Sequence, residues 1–430
     1  MSIISRTPGS RFLKLAGMTA SIATKAVSHS IKSLSSSEEE KSASRSELYG
    51  EIGAKIADTL GHMKGAAMKV GQVASQYKDL FPPEIASALT KLQRQAPAVD
   101  FSIMRHQIER ELGKPLDQIF KSFDEKSFAS ASIGQVYRAV LHDGQNVVVK
   151  VQYPGVDESC DSDLKQLRIA LKLAGVLKID KKLQDALFHE IQESLHAELN
   201  YLQEAHNLNV FAAFHNLRDN KLIIPKVFPE YSSRRVLTLS EEKGDCVDTA
   251  AKYPAEIRNE IGLRMFHMLA DEIYLLNSFH CDPHPGNFAF RPDGSVVVYD
   301  FGGVKELDQP IIKSIKKMMN AALNDNVPLL EDALRELKLR NYHGQVPADF
   351  ILEWNHVLAA PVSKAFDFAT SDIHLQTTAL LKKSLPYWDC FTPSAEVLML
   401  NRTLSGQYWN LVHLNVQANF RPLVEEYIKE

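Results

Sequence analysis

Hydrophobic positions along this 430-residue chain change their period twice, and the changes mark its organisation. Phe12, Leu15, Met18 and Ile22 recur at helical spacing in a Ser/Thr/Ala-rich leader. Ser35 to Ser37 and Glu38 to Glu40 then read as a polar linker. Ile52, Ile56, Leu60, Met63, Ala67, Val70 and Ala74 make one apolar stripe, which predicts a long helix from about Ser46 to Tyr77, ended by Phe81-Pro82-Pro83. Another helix starts at Phe101, with Asp100 as its N-cap and Gly113 just past its end. The period then drops to that of strands. Ile133–Val140 and Asn146–Val151 are β-branched runs around His142-Asp143-Gly144, a hairpin signature. Helix returns as far as about Asn209, and Leu222–Phe228 and Val236–Ser240 read as short strands. From Ala255 the pattern is mainly helical, interrupted by a loop near 280–287 and by strands at Phe288–Phe290 and Val296–Tyr299. A small α+β unit therefore precedes a larger helical one, without internal repeats.

Composition narrows the function. No apolar run reaches the roughly 18 residues of a membrane span; the best candidate, Met265 to Cys281, carries Asp271 and Glu272 mid-run. Hydrophobic residues at 45% and charged residues at 24% fit a globular chain, and a net charge of -4 excludes a dedicated nucleic-acid binder. Four cysteines without a CxxC pair exclude a disulfide framework and a Cys-rich zinc site, and fit a reducing compartment. The charge is uneven. Residues 1–37 hold five basic side chains and no acid, so the remainder, with 44 basic and 53 acidic side chains, is net -9. Such a leader reads as a mitochondrial transit segment, as an amphipathic helix on an anionic membrane face, or as a poorly ordered tail.

The densest polar cluster is Phe279-His280-Cys281-Asp282-Pro283-His284-Pro285-Gly286-Asn287, followed by Tyr299-Asp300-Phe301-Gly302. A strand pair turning at Arg291-Pro292-Asp293-Gly294 fills the gap. This is the layout of a kinase catalytic loop and its metal-binding Asp-Phe-Gly. Mg²⁺ takes hard oxygen ligands, which Asp300 and the Asn287 amide supply, while Asp282 can orient an attacking hydroxyl or water. His284 reads as a loop-packing residue, His280 as one that hydrogen-bonds backbone, and Cys281 as loop filler. The second cluster is the small-residue loop Ala129-Ser130-Ala131-Ser132-Ile133-Gly134-Gln135-Val136, whose amides can approach phosphates. Lys150 follows at the end of a buried strand and needs a carboxylate partner. The following helix offers Glu198 and Glu204. Six residues apart on one helix, they lie roughly 120° apart around its axis, so only one can face Lys150. Lys69 and Gln72 share a helix face, with Gly71 between them marking a close packing contact.

Together these strings resemble the UbiB/ABC1/AarF family of atypical kinase-like proteins. The matching pieces are Lys69-Val70-Gly71-Gln72 (the KxGQ motif), Phe81-Pro82-Pro83-Glu84, the loop Ala129 to Val136, and Val149-Lys150-Val151-Gln152-Tyr153-Pro154-Gly155-Val156. Glu198-Leu199-Asn200, Glu204-Ala205-His206-Asn207, Asp282 to Asn287 and Asp300-Phe301-Gly302 complete the set. The resemblance implies a protein-kinase-like two-lobed α+β fold with an N-terminal helical KxGQ extension. Its parts would be a leader and linker over 1–40, the extension over 41–95, an N-lobe over 96–240 and a helical C-lobe over 241–430. It further implies ATP or ADP with Mg²⁺ as cofactors and the Ala129–Val136 loop, Lys150 and Glu204 as nucleotide-binding residues. Asp282 would be catalytic, and Asn287 and Asp300 the metal ligands. Lys69, Gln72, Glu198 and Asn200 would be regulatory, with Lys69 paired to Glu198. Asn200 stands where the family has an aspartate, and Ser130 where it has an alanine.

The resulting expectation is an Mg²⁺-dependent ATPase or small-molecule phosphotransferase supporting ubiquinone biosynthesis. Its partners would be a nucleotide, a lipid or quinone intermediate and, peripherally, an anionic membrane. The leader resembles those of soluble bacterial members, which favours a bacterial cytoplasm over a mitochondrial matrix. A nucleotide-gated scaffold keeps the same residues and is the alternative. An ordinary protein kinase is disfavoured by a phosphate loop without GxGxxG.

Overall fold

The computed structural model describes residues 16–25, 38–61, 82–85, 87–88, 99–130, 133–173, 181–391 and 395–429. In chain order, the helices of eight or more residues with named bounds are α1 (Glu38–Gly61), α2 (Phe101–Leu112), α3 (Val156–Leu173), α4 (Lys181–Glu198), α5 (Tyr201–His215) and α6 (Ala255–Asp271). They continue with α7 (Gln309–Leu323), α8 (Val327–Glu336), α9 (Ala348–Leu358), α10 (Ile373–Lys383), α11 (Ala395–His413) and α12 (Arg421–Ile428). The strands are β1 (Ser122–Phe123), β2 (Ala129–Ser130), β3 (Gly134–Val140), β4 (Asn146–Gln152), β5 (Leu222–Ile223) and β6 (Val236–Ser240). Then come β7 (Ser278–His280), β8 (Phe288–Phe290), β9 (Val296–Val298), β10 (Val304–Glu306), β11 (Ala365–Asp367) and β12 (Gln417–Asn419). The chain divides into two compact units, residues 1–205 with 227–241, and residues 206–226 with 242–430.

The first unit is built on an antiparallel sheet ordered β1-β3-β4-β6, with β2 also paired to β3. In β4 the side chains of Val147, Val149 and Val151 are fully buried, while Val148 and Lys150 between them are only partly so, the alternation of a strand with one core face. Gly134 is dictated by the β3–β4 pairing: a Cβ there would lie 2.2 Å from the Val151 carbonyl oxygen. Helix α2 begins as its sequence predicts. The Asp100 side chain accepts from the Ser102 amide, and Gly113 closes the helix in the left-handed region at φ 70°. Helix α1 begins at Glu38 rather than near Ser46, so Glu38 to Glu40 form its first turn and not a linker. Ile52 and Ile56 are buried as the stripe requires; the predicted helix beyond Gly61, with Lys69 and Gln72, lies outside the described residues. In the leader, residues 16–25 are helical, and Met18 and Ile22 are buried.

Two expectations need correction here. The helical stretch predicted up to about Asn209 is three helices, α3, α4 and α5. The predicted strand at Leu222–Phe228 shrinks to the two residues of β5 plus an isolated bridge from Val227 to Leu239. Pro225 lacks a ladder donor, which accounts for the interruption.

The second unit is mainly helical. Its small sheets are β5-β9-β8, β7-β10 and β11-β12. Helix α6 runs into a five-residue π-helical turn, Glu272–Leu276, closed by Asn277 at φ 58°. Its core gathers Leu269, Ile273, Phe279, Cys281, Leu307, Ile312, Ile315, Leu337 and Leu400. Two residues of the polar loop cluster, Phe279 and Cys281, thus belong to the hydrophobic core.

Candidate functional site

The first group of candidate residues lies in the first unit. Lys150 Nζ donates to Glu204 Oε1 at 2.5 Å, and the two side chains are only 12% and 3% exposed. The Tyr201 ring, 5.7 Å away, adds a cation–π contact. The choice of Glu204 over Glu198 does not come from 120° of rotation on one helix. Glu198 ends α4 and Glu204 belongs to α5, with Leu199 and Asn200 between them. The break has a tertiary cause: the Tyr201 amide leaves the helical ladder and donates to the Arg234 carbonyl at 3.1 Å. Asn200 opens α5 by accepting from the Gln203 and Glu204 amides. The Glu198 carbonyl accepts from Gln152 Nε2 at 3.2 Å.

The small-residue segment is a hairpin. Ala129 and Ser130 form β2, paired with Val136 and Gln135 of β3. Ala131 and Ser132 lie outside the described residues. Within the hairpin, Ile133 is buried, and Gln135 turns into the protein: its Oε1 accepts from the Val99 amide at 2.6 Å and its Nε2 donates to Tyr137 Oη at 2.9 Å. The Gln135 side chain is thereby engaged in packing.

The second group lies in the second unit. Asn287 Nδ2 donates to Asp282 Oδ2 at 3.0 Å and to the Asp282 carbonyl at 3.1 Å. Strands β8 and β9 are antiparallel, with Phe288 opposite Val298, and the Tyr299 amide donates to the Asn287 carbonyl at 2.9 Å. The hairpin therefore returns the chain beside Asn287 just before Asp300, which explains the spacing of the two motifs. Asp300 Oδ1 accepts from the Gly302 amide at 2.9 Å. Phe301 is buried against Phe211 and His280, with ring centroids 4.8 and 5.2 Å away, and its carbonyl accepts from Asn207 Nδ2 at 2.8 Å.

These residues fit Mg²⁺. Both hydrogen bonds of the Asn287 side chain use its Nδ2, so its oxygen remains for a hard cation, and Asp300 supplies a carboxylate. His284 is a turn residue, its Nδ1 accepting from the Gly286 amide at 3.0 Å. The expectations for its neighbours change. Both ring nitrogens of His280 are buried without a hydrogen-bond partner among the described residues, and the ring packs on Phe288 and Phe301 instead of bonding backbone. Cys281 is a core residue whose burial pushes its thiol up to about 12. Elsewhere, Cys160, Asp161 and His196 come close enough to share an ion. However, Asp161 already accepts from His196 and Gln192, and burial pushes the Cys160 thiol up to about 11.

Three residues unseen in the motifs hold the Asp282 loop from α11. Arg402 Nη2 lies 3.9 Å from Asp282 Oδ1, Asn410 Nδ2 donates to the Pro283 carbonyl at 3.0 Å, and a Cβ on Gly406 would lie 2.1 Å from Pro283 Cγ. Their four-residue spacing puts them on one helix face. Nothing local to the loop signals them.

A sheet lysine paired to a helix carboxylate, with a bonded Asp–Asn loop and an Asp-Phe-Gly turn at one end of a hairpin, defines a protein-kinase-like chain. Residues 91–332 match the ABC1 atypical kinase-like domain, and the chain belongs to that family. It is 36% identical over 247 residues to the Arabidopsis thaliana chloroplastic protein Activity of BC1 Complex Kinase 7, covering 56% of this chain and 35% of that one. It is 29% identical to the mitochondrial atypical kinase coq-8 of Caenorhabditis elegans, covering 87% of this chain and 51% of that one. The Saccharomyces cerevisiae mitochondrial atypical kinase COQ8 is 28% identical, over 86% of this chain and 75% of that one. The chain thus spans about a third to a half of the two relatives named first. A solved structure of Mycobacterium tuberculosis Rv3197 with erythromycin superposes with a TM-score of 0.62 at 28% identity, over 91% of this chain and 98% of that one.

The Lys150–Glu204 pair makes a stability prediction. Removing one member of a buried pair costs about 3–5 kcal/mol, because the other charge is left buried. Glu204→Ala should lower urea stability by an amount near the lower end of that range. The double change Lys150→Met with Glu204→Leu should recover most of it. Equal loss in the single and double variants would show that the two charges do not depend on each other.

Proposed function

We propose that this chain is an Mg²⁺-dependent ATP-binding enzyme, an ATPase or small-molecule phosphotransferase serving quinone-lipid biosynthesis. The observation that carries the reading is the buried Lys150–Glu204 ion pair. An apolar pair of similar volume at such a place is often as stable or more so, which favours a chemical use for the ammonium. In this reading Lys150 binds the nucleotide phosphates, and Glu204 holds its ammonium in place. Asp282 orients the attacking hydroxyl or water and takes its proton as the oxygen bonds to the terminal phosphorus and ADP leaves. Asn287 fixes the Asp282 carboxylate through its amide nitrogen. Asn287 and Asp300 would hold Mg²⁺, which when bound neutralises charge on the phosphate oxygens.

The quinone-lipid assignment rests on the family resemblance, as do a bacterial cytoplasmic setting and its mitochondrial alternative. No helix among the described residues is long and apolar enough to cross a membrane. The leader would meet an anionic membrane through charge, since Met18 and Ile22 are already buried. Each basic group near such a surface contributes about 1 kcal/mol, an attraction that salt screens. Co-sedimentation with anionic vesicles should therefore weaken as salt rises; salt-independent binding would point to an apolar surface instead.

The nucleotide reading is tested by thermal stabilisation with Mg-ATP. Wild type should be stabilised, and Asp300→Asn should lose most of the shift, because it removes a charge beside the metal. An unchanged shift in Asp300→Asn would overturn the metal assignment.

A further inference from the structure

Glu272 has no surface at all. It is the first residue of the π-helical turn after α6, a distortion found often at functional sites. Its two oxygens serve different partners: Oε1 lies 3.3 Å from His215 Nε2, and Oε2 accepts from the backbone amide of His280 at 3.0 Å. His215 is buried as well. A carboxylate taken fully out of water is costly unless both its charge and its lone pairs are met. Here the His215 ring and the His280 amide each lie against one of its oxygens.

The position of that amide gives the arrangement its meaning. His280 is the last residue of β7 and lies two residues before Asp282. Four anchors fix the loop that follows. Glu272 holds the amide of His280, the Gly303 carbonyl accepts from the Cys281 amide at 2.8 Å, Asn410 holds the Pro283 carbonyl, and Asn287 holds Asp282 itself. Of the four, only the first is made by a carboxylate from outside the loop, and it has a second residue, His215, against its other oxygen. The residue that reaches back to the start of the loop is thus the one at which the helix turns from α to π.

We propose that Glu272, sustained by His215, is a positioning residue: it fixes where the loop begins and thereby where Asp282 is presented. The inference rests on the reading of Asp282 as the catalytic carboxylate. Glu272 is fully buried and acts through the His280 amide. A catalytic group displaced by about 1 Å can cost a hundredfold in rate, so a single backbone anchor is enough to matter.

The test compares Glu272→Gln, which keeps an oxygen for the His280 amide, with Glu272→Leu, which removes it, in the full chain. Hydrogen exchange of the peptide spanning 278–287 reads the anchor directly, and Mg-ATP thermal shift and phosphate release read its consequence. In Glu272→Leu, exchange at His280 should rise at least about tenfold while peptides elsewhere stay protected. Phosphate release should fall about tenfold or more with the Mg-ATP shift retained. Glu272→Gln should restore the protection at His280 and most of the release. Unchanged protection at His280 in Glu272→Leu overturns the proposal, and so does a rise spread evenly over the whole chain. If Glu272→Leu does not fold, Glu272→Gln decides: protected His280 with release as low as in Asp282→Asn means that the Glu272 charge serves something other than positioning. The exchange result stands without any turnover, so failure of the catalytic reading and failure of the anchor are told apart.

Discussion

A buried ammonium organises the first unit. Lys150 projects from the face of β4 opposite the buried valines, and its charge requires a carboxylate within reach. Glu204 supplies it, which requires a helix starting at Tyr201 rather than one continuing from α4. The new start is secured by the Tyr201 amide on the Arg234 carbonyl, and the neighbouring Arg235 is held by Glu111 and Asp157. Helices α2 and α3 and the entry to β6 are thus tied to the place where α5 begins. Packing alone would not need this arrangement.

In the second unit the corresponding constraint is the exact course of a short backbone segment. The loop from His280 to Asn287 is held at both ends and in the middle by side chains from the π-helical turn after α6, from α11 and from the loop itself. Cys281 and the preceding Phe279 sink into the core, and the polar Asp282 and Asn287 bond each other. Asn207 and Phe211, one helical turn apart on α5, fix the carbonyl and the ring of Phe301 beside Asp300. The proposed function asks that two carboxylates and an amide keep fixed places, and many weak contacts from distant parts of the chain hold these segments.

Much of this was legible in the sequence, for reasons that are local. The α2 caps, the β3–β4 hairpin, β6 and β8 follow from side-chain chemistry within a few residues. The fold class came from the family resemblance of the motifs together, and the β8–β9 hairpin explains why Asn287 and Asp300 keep their spacing. What was not legible depended on partners far along the chain. The break between α4 and α5 carries no proline or glycine and is decided by the Arg234 carbonyl. Glu204 was the right partner for Lys150, yet the single-helix geometry first used to separate it from Glu198 does not exist. The burial of Cys281, the packing of the His280 ring on Phe288 and Phe301, and the roles of Arg402, Asn410 and Glu272 could not be read from neighbours in sequence. Strand β5 was overestimated because apolar residues around Pro225 read as ladder positions.

The central claim is that Asp282 does chemistry on a nucleotide held by the other residues. Phosphate release from ATP by the full chain with Mg²⁺, wild type beside Asp282→Asn, tests it most directly. Wild type should release phosphate, and Asp282→Asn should release it about a hundredfold more slowly or worse while still being stabilised by Mg-ATP. Equal release by the two proteins, or none by either, would contradict the account.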